Sequence, residues 1–232
     1  MAISVDTVYK TVLLILNKEQ RGYMTPDEFN KIATQVQLET FENYFESLNQ
    51  QLRVPDNDSE YADRVKNIDE KIAIFKKYGN ATYSSDHDHF TLPSELYRLG
   101  TVIYKDEIEA QLIQRNDLLY VNQSPLTKPT EQYPLYLYED NKLYLKPNDI
   151  QSNISVSYVK KPDDVIWNFE IPSGQNYYQY ITTGSKNFEL DVSEQPEVII
   201  KILLYAGVVV KDYNLVNLAA QQIQAEQINQ KS

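Results

Sequence analysis

The chain has 232 residues, enough for one large domain or two small ones. Its 22 basic and 33 acidic residues give a net charge of -11, which argues against a protein that grips the outside of a nucleic-acid duplex through many phosphate contacts. Cysteine is absent, which excludes disulfides, thiolate metal sites and thiol nucleophiles.

The beginning of the chain does not have the pattern of a secretory signal. It contains Ser4 and Asp6 and lacks a basic start followed by a long apolar run, so we expect the mature chain to begin here. The most apolar stretch, Val198 to Val210, includes Lys201 and is shorter than the roughly 20 residues that span a bilayer. We therefore expect a buried helix there and no membrane partner.

Two amphipathic helices are predicted near the N-terminus. Apolar residues spaced by three and four predict the first helix, over residues 3–18. Thr25, Pro26 and Glu28 then form a capping box, in which Thr caps, Pro occupies the first helical position and Glu bonds back to the cap. The second helix starts there, and its apolar stripe runs from Phe29 to Leu52 over about seven turns.

A third helix is predicted from Tyr61 to Phe75, because apolar residues recur at alternating spacings of four and three. Gly79 is expected to end it. Helices that pack together are thus predicted for residues 1–78.

From Ala81 onward the composition favours strands, since Thr, Tyr, Val and Ile become frequent between turn residues. The predicted strands are Leu99 to Tyr104, Leu118 to Val121, Leu135 to Tyr138, Lys142 to Leu145 and Ile154 to Val159. The phrase LYLYEDNKLYLKP predicts a hairpin whose turn is Glu139 to Asn141. Tyr136, Tyr138 and Tyr144 are expected on one exposed or partner-facing side of this hairpin.

The last third of the chain returns to helix. Residues 162–190 contain prolines and glycines and are predicted to form an extended loop or a long hairpin. Asp191 or Ser193 is expected to cap a helix whose apolar part, Val198 to Val210, should be the most enclosed in the structure. The polar tail from Asn217 to Ser232 is predicted to be a helix that frays.

These elements predict an α+β fold, in which a bundle of N- and C-terminal helices carries an inserted antiparallel β domain. The predicted domains are an N-terminal helical bundle at 1–78, a β-rich insertion at 79–190, and C-terminal helices at 191–232 that pack on the bundle.

The stretch SSDHDHF is the one most suggestive of chemistry. In an extended strand His87 and His89 project to the same face, where they could ligate a metal. The alternative is an exposed polar loop between helix and sheet, which we favour, so no metal site is predicted. The carboxylate pair Asp163 and Asp164 lacks an apolar setting, and neither GxGxxG nor GxxxxGK[ST] occurs. We predict no catalytic residue, no cofactor and no enzyme activity.

The order of elements resembles the head-to-tail adaptors, or tail tubular A-like proteins, of short-tailed bacteriophages. The residues that carry the resemblance are VDTVYKTVLLILNKEQRGYMTPDEFNKIATQVQLETFENYF, FTLPSELYRLGTVIY, the hairpin phrase with ISVSYVKKP, and ELDVSEQPEVIIKILLYAGVVVKDY. The first phrase in particular is similar to ring or neck proteins of crAss-like phages.

The resemblance implies a structural virion protein, made in the host cytoplasm and located in the phage neck. There it would form a homo-oligomeric ring, commonly twelve-fold, that joins the portal protein to other tail or ring proteins. Genomic DNA would pass through its channel without sequence-specific binding. The implied interface residues are Arg21 and Tyr23 in the turn at 18–26, with Tyr136, Tyr138 and Tyr144 in the β domain.

Two alternatives remain open. The chain could be a monomeric or small-oligomer binding module whose tyrosine-rich sheet recognises a glycan or peptide. It could also be a metal-dependent hydrolase that uses His87 and His89, which we rank last.

Overall fold

The computed structural model describes residues 2–18, 23–51, 66, 68–209, 220–222 and 224–225. The helices are α1 (Val5–Lys18), α2 (Pro26–Gln51), α3 (helical residues 68–73), α4 (Arg115–Gln123) and α5 (Gln195–Val209), with a 3-10 turn at Val192–Glu194. The strands are β1 (Ala2–Ile3), β2 (Lys76–Asn80), β3 (Thr82–Ser84), β4 (His89–Thr91), β5 (Leu96–Tyr104), β6 (Ile108–Leu112), β7 (Leu135–Glu139), β8 (Lys142–Lys146), β9 (Ile154–Lys160), β10 (Ile166–Glu170), β11 (Gln179–Lys186) and β12 (Phe188–Asp191).

The chain forms two compact units. Unit 1 is built from two separate segments, Met1–Ile74 and Pro162–Ser232, and unit 2 is the continuous segment Phe75–Lys161. Residues 162–190 were predicted to be part of the β-rich insertion, but they belong to the same unit as the helices.

Unit 2 contains an eight-stranded mixed sheet with the order β2-β9-β5-β6-β7-β8-β4-β3. The two outermost strands, β2 and β3, are consecutive in the chain and only Ala81 lies between them. Because a single residue joins the two ends of the strand order, the sheet must curve round on itself, and it is nearly barrel-shaped.

The concave side of this sheet encloses an apolar core. Each strand alternates its side chains between two faces, so residues from many strands meet inside. The buried members are Phe90, Val102, Tyr104, Ala110, Tyr136, Leu143, Leu145, Ile150, Ile154, Val156 and Tyr158.

One strand pair is parallel. Gln111 pairs with Leu135 in the β6–β7 ladder, whereas the other ladders of this sheet are antiparallel. Parallel neighbours need a crossover connection, and α4 with the loop after it provides one. The prediction of a strand at Leu118 to Val121 is therefore wrong, because these residues lie within α4.

The predicted hairpin is confirmed as β7 and β8, with the turn where the sequence placed it. Asp140 and Asn141 both have positive φ, at 50° and 55°. A two-residue turn of this kind matches the twist of the flanking strands, and Asp and Asn tolerate it better than most residues.

In unit 1 the helices α1 and α2 both pack against α5 and against strand β10. The start of α2 is as predicted, because the Thr25 hydroxyl accepts a hydrogen bond from the Glu28 backbone N–H at 3.3 Å. In return the Glu28 carboxylate accepts from the Thr25 backbone N–H at 2.9 Å. These reciprocal bonds are the predicted capping box.

Polar side chains on one face of α2 bind the backbone of the segment that leads into β10. Asn30 accepts from the Trp167 N–H at 2.8 Å and donates to its carbonyl at 3.3 Å. Thr34 does the same with Val165, at 3.0 Å and 3.4 Å. Gln37 donates to the Asp163 carbonyl at 2.6 Å. The helix therefore occupies one edge of the β10–β11 hairpin, where a further strand would otherwise pair.

Residues 162–190 contain the predicted hairpin, formed by β10 and β11, followed by β12. Strand β12 pairs with the two-residue strand β1, so the beginning of the chain is held against the residues that precede α5. The α5 helix itself buries Val198, Ile202 and Ala206 completely, as its apolar sequence predicts.

The third predicted helix ends earlier than expected. Residues 68–73 are helical, but β2 begins at Lys76, and Gly79 lies inside that strand opposite Val156. Residues 52–65 of this prediction lie outside the described residues, as does most of the tail from Asn217, of which 220–222 and 224–225 are helical.

The predicted fold class is wrong. The molecule is not a helical bundle with an inserted antiparallel β domain, because its largest feature is a mixed, nearly barrel-shaped sheet and the described residues form few helices. Unit 1 also contains strands, and α1 and α2 pack against β10 as well as against α5. The apolar helix faces that suggested a bundle are thus partly covered by strands. Across the described residues, no helix is long and apolar enough to cross a membrane.

Candidate functional site

The structure separates the three hairpin tyrosines that were expected on one exposed side. Tyr136 pairs with Leu145 and lies buried in the unit 2 core. Tyr138 is on the same face of β7 but is exposed at the strand end, where its hydroxyl donates to Asn141 Oδ1 at 2.7 Å. Tyr144 pairs with Leu137 and therefore projects from the opposite face. The expectation of one shared side is wrong, and Tyr136 contributes to packing.

Burial also alters the chemistry of Tyr136. It raises the pKa of the Tyr136 hydroxyl above its ordinary value, and the nearby charge of Glu109 adds to this effect. The neutral phenol is thus the stable form in the core.

Of the two interface residues expected in the turn before α2, the structure describes one. Arg21 lies outside the described residues. Tyr23 is exposed, and it lies beside the buried Tyr9, whose hydroxyl donates to the Met24 carbonyl at 3.1 Å. Burial, with a smaller contribution from Tyr23, raises the pKa of Tyr9 well above its ordinary value.

Tyr9 belongs to an aromatic cluster that anchors the β10–β11 hairpin. Its ring centroid lies 4.4 Å from that of Trp167, whose indole Nε1 donates to Asp6 at 3.1 Å. Phe169 contacts Tyr178 edge-on, with centroids 4.8 Å apart. This packing holds the base of the hairpin against α1 and α2.

The turn of the same hairpin presents exposed apolar side chains. Ile171 and Tyr177 are both more than half exposed. We call Ile171, Tyr177 and Tyr23 the tip surface. Tyr23 is included because the buried Tyr9 lies close both to Tyr23 and to Tyr178, which is next to Tyr177 in the chain. No charged residue occurs from Ile171 through Ser185.

A larger exposed apolar surface lies on unit 2, in the connection between β6 and β7. Five of its large side chains are between 62% and 97% exposed. We call them the crossover surface: Leu112, Leu119, Tyr120, Leu126 and Tyr133. Large exposed apolar side chains that lie together can mark sites of association.

Internal bonds hold the crossover connection in place. Leu118 is buried and fixes one side of α4 to the unit. Thr127 Oγ1 donates to the Val121 carbonyl at 3.1 Å, and the Lys128 N–H donates to the Ser124 carbonyl at 3.1 Å. The crossover surface is therefore built on ordered backbone.

Two ion pairs join charged side chains of this connection to residues outside it. Arg115 binds Glu139 in bidentate fashion, with Nε to Oε1 at 2.9 Å, and Lys105 binds Glu131 at 3.3 Å. The pairing with Arg115 lowers the pKa of the Glu139 carboxyl below its usual value. Residues 112–134 contain two basic and two acidic side chains, so their charges cancel in a chain that is strongly acidic.

The two histidines are only partly as predicted. His87 lies in the exposed turn before β4, whereas His89 is buried on that strand and contacts Tyr144, with ring centroids 6.0 Å apart. Among the described residues, none forms a hydrogen bond with the His89 Nδ1 atom. Within the described ranges, no group of three or more metal-ligating side chains comes together. The predicted polar loop therefore fits His87 alone.

A buried group of ionisable residues lies in unit 1. Lys201 on α5 is almost fully buried and bonds Glu197 at 2.8 Å and Thr40 at 3.3 Å. Glu194 is buried beside Lys71, with which it forms an ion pair. Burial raises the pKa of the Glu194 carboxyl, although Lys71 opposes that rise. Lys201 thus joins α5 to α2, and Glu194 joins the 3-10 turn before α5 to α3.

The crossover surface was not predicted from the sequence, because Leu118 to Val121 was predicted to be a strand. One signal was available: Leu126 stands alone between Pro125 and Pro129 in a polar loop, where nothing local can bury it. Comparison of the chain with protein-family models and with curated proteins found no match.

Proposed function

We propose that this chain is a structural subunit that assembles with copies of itself into a ring, as the resemblance to phage head-to-tail adaptors implies. The observation that carries the proposal is the pair of exposed apolar surfaces, one on each unit. A ring needs two different surfaces on each subunit, because each copy contacts its neighbours through opposite sides.

The proposed place of the ring is the neck of a tailed phage, between the portal protein and the next tail or ring protein. The opening phrase of the sequence supports this proposal, since it is similar to that of phage ring proteins. The role is architectural: repeated contacts close the ring and leave a channel for the genome. The net charge of -11 is compatible with DNA that slides through without being held.

Electron microscopy of the purified chain, alone and mixed with the portal protein of a short-tailed phage, tests the proposal. We expect closed rings of uniform diameter, either alone or seated on the portal. Isolated single subunits in both samples would contradict it. In that event, glycan and peptide arrays would test the alternative of a monomeric binding module.

A further inference from the structure

Tyr44 on α2 is buried in unit 1, and among the described residues none forms a hydrogen bond with its hydroxyl. A buried hydroxyl without a partner costs free energy, because it has given up its hydrogen bonds to water. Burial raises the pKa of Tyr44 well above its ordinary value, so the hydroxyl keeps its proton. Unit 1 therefore contains a buried donor that is not in use.

The charged groups around Tyr44 come from α3 and from the chain between the end of β12 and the start of α5. Lys71 lies against both Tyr44 and Glu194, because its Nζ is 5.6 Å from the centre of the Tyr44 ring and forms an ion pair with Glu194. The carboxylates that act on the Tyr44 hydroxyl are Glu194, Glu197 and Asp191, and Glu194 acts most strongly. Since this interaction weakens with distance, Glu194 is the acceptor best placed to reach Tyr44.

The other titratable groups of this network have partners. Lys201 bonds Glu197 at 2.8 Å, and the Glu39 carboxylate accepts from the Tyr205 hydroxyl at 2.9 Å. Asp191 accepts from the backbone N–H two residues further along the chain, at 3.0 Å. These pairs hold the surroundings of Tyr44 and Glu194 in place.

Loss of a proton changes what the Glu194 carboxyl can bind. Burial and the neighbouring Glu197 raise its pKa, although Lys71 opposes this rise. Lys71 binds the carboxyl at Oε1. The ionised carboxylate accepts hydrogen bonds at both oxygens, and it binds donors more strongly than the neutral acid does. The ionised form can therefore accept the hydrogen bond that Tyr44 has available.

We propose that Tyr44 and Glu194 form a pH-sensitive latch, in which the Tyr44 hydroxyl donates to the Glu194 carboxylate once Glu194 has lost its proton. The bond ties α2 to the 3-10 turn before α5, and it is absent while Glu194 is protonated. The unbound hydroxyl of the structure corresponds to the protonated form. The latch lies within unit 1 and does not depend on the proposed function.

Tyr44→Phe tests the latch, because it removes the hydroxyl and keeps the ring. The Glu194 carboxyl is titrated by NMR in the full chain, labelled with 13C in glutamate, and Glu194→Gln assigns its signal. We expect the midpoint for Glu194 to move to higher pH in Tyr44→Phe, because the ionised form has lost a donor. A midpoint that stays the same, or that moves to lower pH, would overturn the proposal.

Tyr205→Phe is the matched control, since it removes a hydroxyl that binds a different carboxylate of the same network, Glu39. It should leave the midpoint for Glu194 unchanged. A shift equal to that of Tyr44→Phe would show a general effect of losing a hydroxyl and would overturn the latch. Circular dichroism checks that both variants fold.

A second measurement needs no variant at position 44. In the wild type, the ring carbon of Tyr44 that carries the hydroxyl should change its chemical shift at the same midpoint as the Glu194 carboxyl. A Tyr44 signal that stays constant through the titration of Glu194 would contradict the latch.

Discussion

Thr25 and Glu28 show how two side chains define the first residue of a long helix. Each accepts a hydrogen bond from the other's backbone N–H, so two N–H groups that α2 leaves without intrahelical partners are satisfied. The pattern is local in sequence, because both partners lie within four residues. That is why the sequence alone predicted the start of α2 correctly.

Replacement of Thr25 by alanine should lower the free energy of unfolding by about 1 kcal/mol, because the cap side chain is lost. Urea denaturation followed by circular dichroism measures the change. Thr25→Ser keeps the hydroxyl and should unfold close to the wild-type midpoint. Equal midpoints for the alanine and serine variants would contradict the role of the cap.

Glu194 predicts a dependence of stability on pH. Its pKa is raised in the folded protein, chiefly by burial, so the folded state holds this proton more tightly than the unfolded chain. The Glu194 carboxyl therefore makes its full contribution to the free energy of unfolding at pH values below its ordinary pKa. This contribution declines as the pH rises through the raised pKa of the folded protein.

The variant Glu194→Gln cannot lose a proton and isolates this effect. The unfolding free energy of the wild type minus that of the variant should fall as pH rises from about 4 to about 7. Urea unfolding at several pH values measures the difference. A constant difference across this range, or one that increases with pH, would contradict the raised pKa.

At the scale of elements, the hydrogen bonds from α2 to the segment before and within β10 are a feature that the sequence did not predict. Asn30, Thr34 and Gln37 recur at helical spacing, so the pattern was visible, but it reads as an ordinary polar face. Its meaning depends on a strand more than one hundred residues away in the chain. Sequence periodicity carries no information about such a partner.

Replacement of Thr34 by valine should destabilise unit 1 by about 1–3 kcal/mol. The valine keeps the shape of threonine but leaves the N–H and carbonyl of Val165 without the hydroxyl that binds both. Thr34→Ser retains the hydroxyl and serves as the matched control. Urea unfolding compares the two, and a valine variant as stable as the serine variant would contradict the account.

In the crossover connection, a strand was predicted where the structure has a helix. Leu118 to Val121 is a short apolar run, and such a run does not distinguish a strand from a helix segment by periodicity. The hairpin of β7 and β8 was predictable because its strands flank a recognisable turn at Asp140 and Asn141. The connection before it depends on the parallel pairing of β6 and β7, which no local pattern specifies.

At the scale of the whole molecule, the fold class could not be read from the elements alone. Most of the helices and the strands β5, β7, β8 and β9 were predicted near their observed positions, whereas β1 to β4, β6 and β12 were not, and the apolar helix faces suggested a bundle. The closing of the eight-stranded sheet depends on the pairing order, in which β2 and β3 occupy opposite ends although they adjoin in the chain. Pairing order is a long-range property, and one sequence does not reveal it.

Assembly through neutral apolar surfaces should respond to salt in a characteristic way. Each copy carries a net charge of -11, so the copies repel each other at low ionic strength. Raising sodium chloride from about 0.05 M to about 0.5 M screens this repulsion and should increase the fraction assembled. Sedimentation velocity measures the fraction, and dissociation with added salt would indicate an interface held by ion pairs instead.

We propose that the exposed apolar surfaces bind further copies of the chain. The most direct test is the mass of the wild-type protein in solution, measured by light scattering over a wide range of concentration. We expect a mass that rises with concentration to a fixed multiple of the monomer, either alone or with the portal protein, and its loss in the Leu119→Glu, Leu126→Glu variant. A monomer mass at every concentration, alone and with the portal protein, would contradict it.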